Sequence, residues 1–68
     1  MNDIPIRLKE LRKFAKLSQT KLGKILNVSQ DTISIWETGK SYPSAEYLIA
    51  LAKLYSVTTD FILGLQPY

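Results

Sequence analysis

Ser18-Gln19-Thr20-Lys21-Leu22-Gly23-Lys24-Ile25-Leu26-Asn27-Val28-Ser29-Gln30-Asp31-Thr32-Ile33-Ser34-Ile35-Trp36-Glu37-Thr38-Gly39 reads as two short helices meeting at a sharp corner. Ser18 is placed to cap the first helix, accepting from backbone N–H groups that have no partner within it. Leu22 and Leu26, four apart, give that helix one apolar face. Asn27 tolerates the left-handed backbone that a tight helix exit needs. Val28 then points inward, Ser29 caps again, and Ile33 and Trp36 supply the second helix with a buried side. Gly39 closes it as a C-terminal glycine. Gly23 costs its helix about 1 kcal/mol relative to Ala, and its missing side chain lets the two helices approach closely. Lys21 stands where a capping box would place Glu, and a cation in a first turn opposes the helix dipole. An anion contact and an ordinary exposed lysine both fit it.

Upstream, Asp3 is a candidate cap and Pro5 suits a first helical turn. Leu8, Leu11 and Ala15 recur at helical spacing, predicting a first helix over Ile4 to Lys16 with a narrow apolar stripe. Phe14 lies on the edge of that stripe and is expected to be half-buried; an exposed aromatic there would mark a partner surface. Downstream, Lys40-Ser41-Tyr42-Pro43 forms a loop, since Pro43 disfavours helix at Tyr42. Ser44 caps a fourth helix carrying Leu48, Leu51, Ala52 and Tyr55. Thr58 caps a short fifth helix of Asp60, Phe61, Ile62 and Leu63, ended by Gly64. The tail Leu65-Gln66-Pro67-Tyr68 has no pattern and is expected to fray. The expected fold is all-α: five short helices around one core, a single domain over residues 1–68 with its helix-turn-helix at 18–39.

Composition removes several function classes. The 68 residues include no Cys and no His, which excludes disulfides, Cys/His metal sites, thiol nucleophiles and the imidazole base. Three Asp and three Glu are scattered without forming an acid–base or nucleophile constellation, so no enzyme, cofactor or metal is expected. No apolar run approaches the roughly 18 residues of a membrane span, and the N-terminus lacks the apolar stretch of a signal peptide. The reading is cytoplasmic. Residues 1–34 hold seven of the nine Lys and Arg against three acids, whereas residues 35–68 hold two against three. A basic half biases toward polyanions without proving one.

A longer series of residues runs in order through the chain: Arg7-Leu8-Lys9-Glu10-Leu11-Arg12, Leu17-Ser18-Gln19, Leu22, Val28-Ser29, Ile33-Ser34, Trp36-Glu37, Gly39-Lys40, Pro43, Leu48, Leu51-Ala52, Val57, Asp60 and Leu63-Gly64. Over roughly residues 6 to 64 this closely resembles the Cro/phage-repressor (XRE-like) helix-turn-helix family. The resemblance implies a lambda-repressor-like domain that binds operator DNA, usually as a dimer, with its third helix (about 30–38) in the major groove. A groove about 12 Å wide admits one helix.

Carried over residue by residue, the resemblance makes Gln30, Asp31, Ser34 and Ile35 the base-reading set. Gln can pair bidentately with adenine, and a carboxylate can accept from the cytosine amino group. Asp31 departs from the neutral or basic residues usual in the family, and its place in a first helical turn also has a plain dipole explanation. Ile35 could pack on a thymine methyl or simply flank a neighbouring helix. Gln19, with the N-terminus of its helix, is the expected phosphate clamp. Thr38, Lys40, Ser41 and Tyr42 match the family's second phosphate patch, although Gly-Lys after a helix is also an ordinary cap and solvated charge. Arg12 and Glu37 correspond to a structural ion pair between the first and third helices. The leading expectation is a sequence-specific transcriptional regulator, a homodimeric repressor on pseudo-palindromic double-stranded DNA in a bacterial or phage-type setting. The alternative is an antitoxin or adaptor that keeps the fold and holds a protein partner through Phe14, Ile25 or the tail.

Overall fold

A computed structural model of the chain describes residues 3–65, with five helices and no strand among them. α1 spans Ile4–Phe14, α2 Gln19–Leu26, α3 Gln30–Thr38, α4 Ala45–Tyr55 and α5 Thr59–Leu63. This is the all-α order expected from the sequence. Among the described residues no helix is long and apolar enough to cross a membrane. Of the tail expected to fray, Leu65 instead returns its N–H to the Asp60 carbonyl at 2.8 Å, and Gln66, Pro67 and Tyr68 lie outside the described residues.

All five helices close in the same way. A residue with left-handed backbone follows the helix, and the next N–H returns to a carbonyl five residues earlier: Leu17 to Arg12 at 3.1 Å, Val28 to Gly23 at 2.8 Å, Lys40 to Ile35 at 3.2 Å, Val57 to Ala52 at 3.0 Å and Leu65 to Asp60 at 2.8 Å. These bonds occupy carbonyls that a helix end leaves without partners. Asn27, Gly39 and Gly64 supply three of the left-handed turns; Lys16 and Ser56 supply the others at φ 60° and 56°. Lys16 is why α1 stops at Phe14 instead of continuing to Lys16 as its periodicity predicts.

The N-termini are less uniform. Ser18, Ser29 and Thr58 each accept from a backbone N–H three residues on, at 3.0, 3.1 and 3.0 Å. Asp3 makes no such side-chain bond, because its backbone at φ −96°, ψ 3° is not extended; its carbonyl takes the Arg7 N–H instead. Ser44 also makes no side-chain cap. The first turn of α4 is exposed at Ala45 and Glu46, where solvent can serve its N–H groups.

Leu8, Leu22, Ile33, Trp36, Leu51, Ala52 and Ile62 form the buried core, with Leu11, Leu26, Val28 and Leu48 packed against it. Trp36 meets Tyr47 with ring centroids 5.4 Å apart and planes at 48°, a tilted geometry that aromatic pairs favour. The stripe on α1 differs from expectation at two positions. Ala15 lies past the helix end and is exposed, and Phe14 is 88% exposed. At 3.6 residues per turn Phe14 sits roughly 120° around the helix from Leu8, so it cannot share the buried face. Arg12, four residues after Leu8, takes that place and is buried.

Candidate nucleic-acid interface

α2 and α3 meet through Gly23. A Cβ there would stand 2.7 Å from the Val28 carbonyl oxygen and 3.5 Å from the Gln30 nitrogen. Contact this close brings the first turns of both helices to one surface, where Gln19 and Gln30 lie side by side.

The chemistry of that surface is set from below. Arg12 on α1 holds Glu37 on α3 through two parallel bonds, Nε to Oε2 at 2.7 Å and Nη2 to Oε1 at 3.0 Å, and its third nitrogen donates to the Leu17 carbonyl at 2.8 Å. Both side chains of the pair are nearly excluded from water. The hydrogen bond to Glu37 raises the Arg12 pKa, more than burial lowers it. Glu37 Oε1 also accepts from Gln19 Nε2 at 3.1 Å. An ionised carboxylate only accepts, so the Gln19 amide must present nitrogen to Glu37 and turn its oxygen away. That oxygen in turn accepts from Gln30 Nε2. The series therefore leaves Gln30 with its carbonyl oxygen and one N–H for an external partner, and Gln19 with one N–H. Three helices fix the orientation of one exposed amide.

Gln30 and Asp31 are exposed in the first turn of α3. Ser34 is half-buried and Ile35 is 39% exposed. These four occupy the outer arc, while Ile33 and Trp36 face the core. The other group of candidates lies at the far end of α3, roughly 13 Å away at 1.5 Å per residue. Thr38, Lys40, Ser41 and Tyr42 are exposed there. The Thr38 hydroxyl donates to the Ile35 carbonyl at 3.2 Å, which leaves its oxygen lone pairs to face outward. Gly39, at φ +79°, comes close to the start of α1; a Cβ at that position would lie 3.2 Å from Pro5 Cγ and 4.0 Å from the Tyr42 hydroxyl. The surface is thus two patches on one helix, amide-rich at the beginning and basic and hydroxylic at the end.

Sequence reasoning named Gln19, Gln30 and Glu37 separately and missed the bonds that join them. Residues 18 and 11 apart carry no periodic signal, and only the corner at Gly23 brings them together.

A family model described as helix-turn-helix matches residues 8–62. The chain is 44% identical over 58 residues to the transcriptional activator BcrR of Enterococcus faecalis, covering 85% of this chain and 28% of that protein. It is 39% identical over 57 residues to repressor protein C2 of Salmonella phage P22, covering 84% of this chain and 26% of that one. The chain thus spans about a quarter of the length of these two relatives. Among solved structures it resembles the P22 c2 repressor in complex with a synthetic operator, at TM-score 0.85 and 35% identity, covering 93% of this chain and 96% of that one.

Proposed function

Because the chain belongs to the helix-turn-helix family whose model spans residues 8–62, we propose that it is a sequence-specific DNA-binding regulator of transcription that lays α3 in the major groove of an operator. The observation that carries this reading is the bonded series Arg12–Glu37–Gln19–Gln30. It pre-orients an exposed amide at the leading end of a helix, where base edges are read. The likeness to a repressor in complex with operator supports the same docking.

In this reading Gln30 pairs with adenine, its oxygen accepting from N6 and its nitrogen donating to N7. Asp31 accepts from a cytosine amino group and keeps α3 from sliding toward a phosphate. Ser34 makes a short polar contact, and Ile35 packs on a thymine methyl. Gln19 donates its remaining N–H to a phosphate at the N-terminus of α2, where the helix dipole favours an anion. Thr38, Lys40, Ser41 and Tyr42 hold a second phosphate stretch and set the register without reading sequence.

The whole of residues 1–68 acts as one cytoplasmic DNA-binding domain. One such domain covers a small area, so useful affinity calls for two copies on a pseudo-palindrome with half-sites about one helical turn apart. Occupancy of the operator then represses by exclusion. The experiment is selection from a random duplex library, followed by affinity measurements on the winner across a salt series. A palindromic consensus bound by two chains, with affinity falling steeply as salt rises, is the expected result. Failure to enrich any sequence, or an affinity indifferent to salt, overturns the reading.

A further inference from the structure

Away from the α2–α3 surface, an open groove of about 540 Å³ runs between α1 and α5. Arg7, Glu10, Leu11, Lys13, Phe14 and Phe61 line it. The α1 residues among them share one face, because steps of three, four and seven return to the same side of a helix. Phe14 projects from that face 88% exposed. Arg7 lies over the Phe61 ring, 4.9 Å from its centroid, and donates Nη1 to the Phe61 carbonyl at 3.2 Å. Its Nε is buried without a hydrogen-bond partner. No carboxylate among the described residues lies within ion-pair distance of Arg7. The groove therefore combines an apolar floor, a projecting aromatic and a guanidinium that no acid neutralises.

We propose that this groove docks an acidic, amphipathic segment of a partner protein, with bulky apolar side chains against Phe14 and Leu11 and a carboxylate on Arg7. Charge selects that occupant. The outer surface of α1 carries Arg7, Lys9 and Lys13 against Glu10, with Lys16 in the turn that follows, while Arg12 is already neutralised by Glu37. A second copy of this chain would bring two groove cations, Arg7 and Lys13, for each Glu10 carboxylate, so its charges could not all be paired. A nucleic-acid backbone would satisfy the charges but offers no apolar surface to cover Phe14. An amphipathic helix with a carboxylate-flanked apolar face meets both demands. None of the six lining residues belongs to the α2–α3 surface, so this proposal stands or falls independently of the DNA reading.

The probe is a pair of fluorescein-labelled helical peptides with Trp and Leu at i, i+3, i+4 and i+7, flanked in one by Glu and in the other by Lys. Binding to the 68-residue chain without DNA is followed by anisotropy, and the contact surface by amide chemical shifts. The acidic peptide should bind about tenfold more tightly than the basic one, with shifts confined to α1 and α5. Phe14→Ala and Lys13→Glu should each weaken it several-fold with the circular dichroism spectrum unchanged, since both positions are exposed. Equal binding of the two peptides, shifts centred on α2 and α3, or indifference to Phe14→Ala overturns the proposal. Sedimentation showing self-association that Phe14→Ala abolishes would assign the groove to a second copy and overturn it equally.

Discussion

Gln19 donates to Glu37 at 3.1 Å, from the first turn of α2 to the last turn of α3. The bond crosses the corner at Gly23 and decides which way the Gln19 amide faces, and so which way Gln30 faces. Gln30→Ala should cost about 1–3 kcal/mol on the selected operator and relax preference at one base pair. Gln19→Ala should weaken binding and also blunt the effect of Gln30→Ala. Residues sharing a hydrogen-bond network couple by about 0.5–3 kcal/mol. A double-mutant cycle read by operator affinity measures that coupling, and strict additivity would show that the two amides act separately.

At the other end of α3 the expectation is different in kind. Lys40 is an exposed cation in the loop beyond α3, suited to a phosphate. Lys40→Ala should weaken binding about equally on operator and on mismatched DNA. It should also reduce the slope of log K against log salt by about 0.9. Affinity titrations at several salt concentrations distinguish this from Gln30→Ala. If both variants lost affinity uniformly, α3 would not be the reader.

The Arg12–Glu37 pair should weigh on stability more than a surface ion pair, because both side chains are nearly water-free. Arg12→Met leaves a buried carboxylate with Gln19 as its remaining side-chain partner, a change that typically costs about 3–5 kcal/mol. That is a large part of the stability of a domain this size, on the order of 3–10 kcal/mol. Adding Glu37→Leu removes the stranded charge and should restore most of the loss, yet operator affinity should stay low because Gln19 has lost its acceptor. Urea unfolding and operator binding on the two variants test both halves. A loss below about 1 kcal/mol for Arg12→Met would place the pair with ordinary surface bridges.

The helix count, the order of elements and the core positions Leu8, Leu22, Ile33, Trp36 and Leu51 were legible because each rests on local spacing or on a residue with a special backbone preference. Asn27, Gly39 and Gly64 announced their left-handed turns by type. Lys16 and Ser56 did not, since nothing in a lysine or serine marks it for that conformation until the next residue bonds back across the turn. Phe14 was misjudged for another reason. Hydrophobicity says what a residue prefers, and angular position says what it gets; Arg12 lies within about 40° of Leu8 and Phe14 about 120° away. The residues of the candidate site were named through family resemblance, and the bonds that join Gln19, Gln30 and Glu37 were not named. The Gln19–Glu37 and Gln19–Gln30 contacts depend on a packing distance that no periodicity encodes.

That packing distance gives a prediction in which two effects oppose. Gly23→Ala should gain about 1 kcal/mol of helix propensity. The new Cβ would, however, lie 2.7 Å from the Val28 carbonyl oxygen, and backbone cannot move aside as a flexible side chain can. Overpacking of this kind costs about 1–3 kcal/mol, so the clash should win. The melting temperature should fall by several degrees, at roughly 4–8 °C per kcal/mol for a domain this small. Operator affinity should fall as well, since the atoms crowded next are the Ser29 carbonyl carbon and the Gln30 nitrogen at the start of α3. A higher melting temperature in Gly23→Ala would mean that the corner is looser than these distances imply.

Tyr55 supplies the pH dependence. Burial, with a smaller contribution from the Glu37 charge, pushes its phenol up from the ordinary 10.0 to about 12, against a lowering by Arg12. The raised value means that the folded protein favours the neutral phenol. Its contribution to stability is therefore fully present below about pH 10 and is lost as the pH rises through about 12. The hydroxyl oxygen is buried and has no hydrogen-bond partner among the described residues. Tyr55→Phe should thus be neutral or slightly stabilising at pH 7, since an unsatisfied polar group is exchanged for an apolar one of the same shape. Between pH 10 and 12 the variant should lose stability less steeply than the parent. The difference in phenolate absorbance between the two proteins should titrate with a midpoint near 12. A difference curve centred at the ordinary tyrosine value, or a clear destabilisation by Tyr55→Phe at neutral pH, would show that the hydroxyl is solvated or bonded in the folded state.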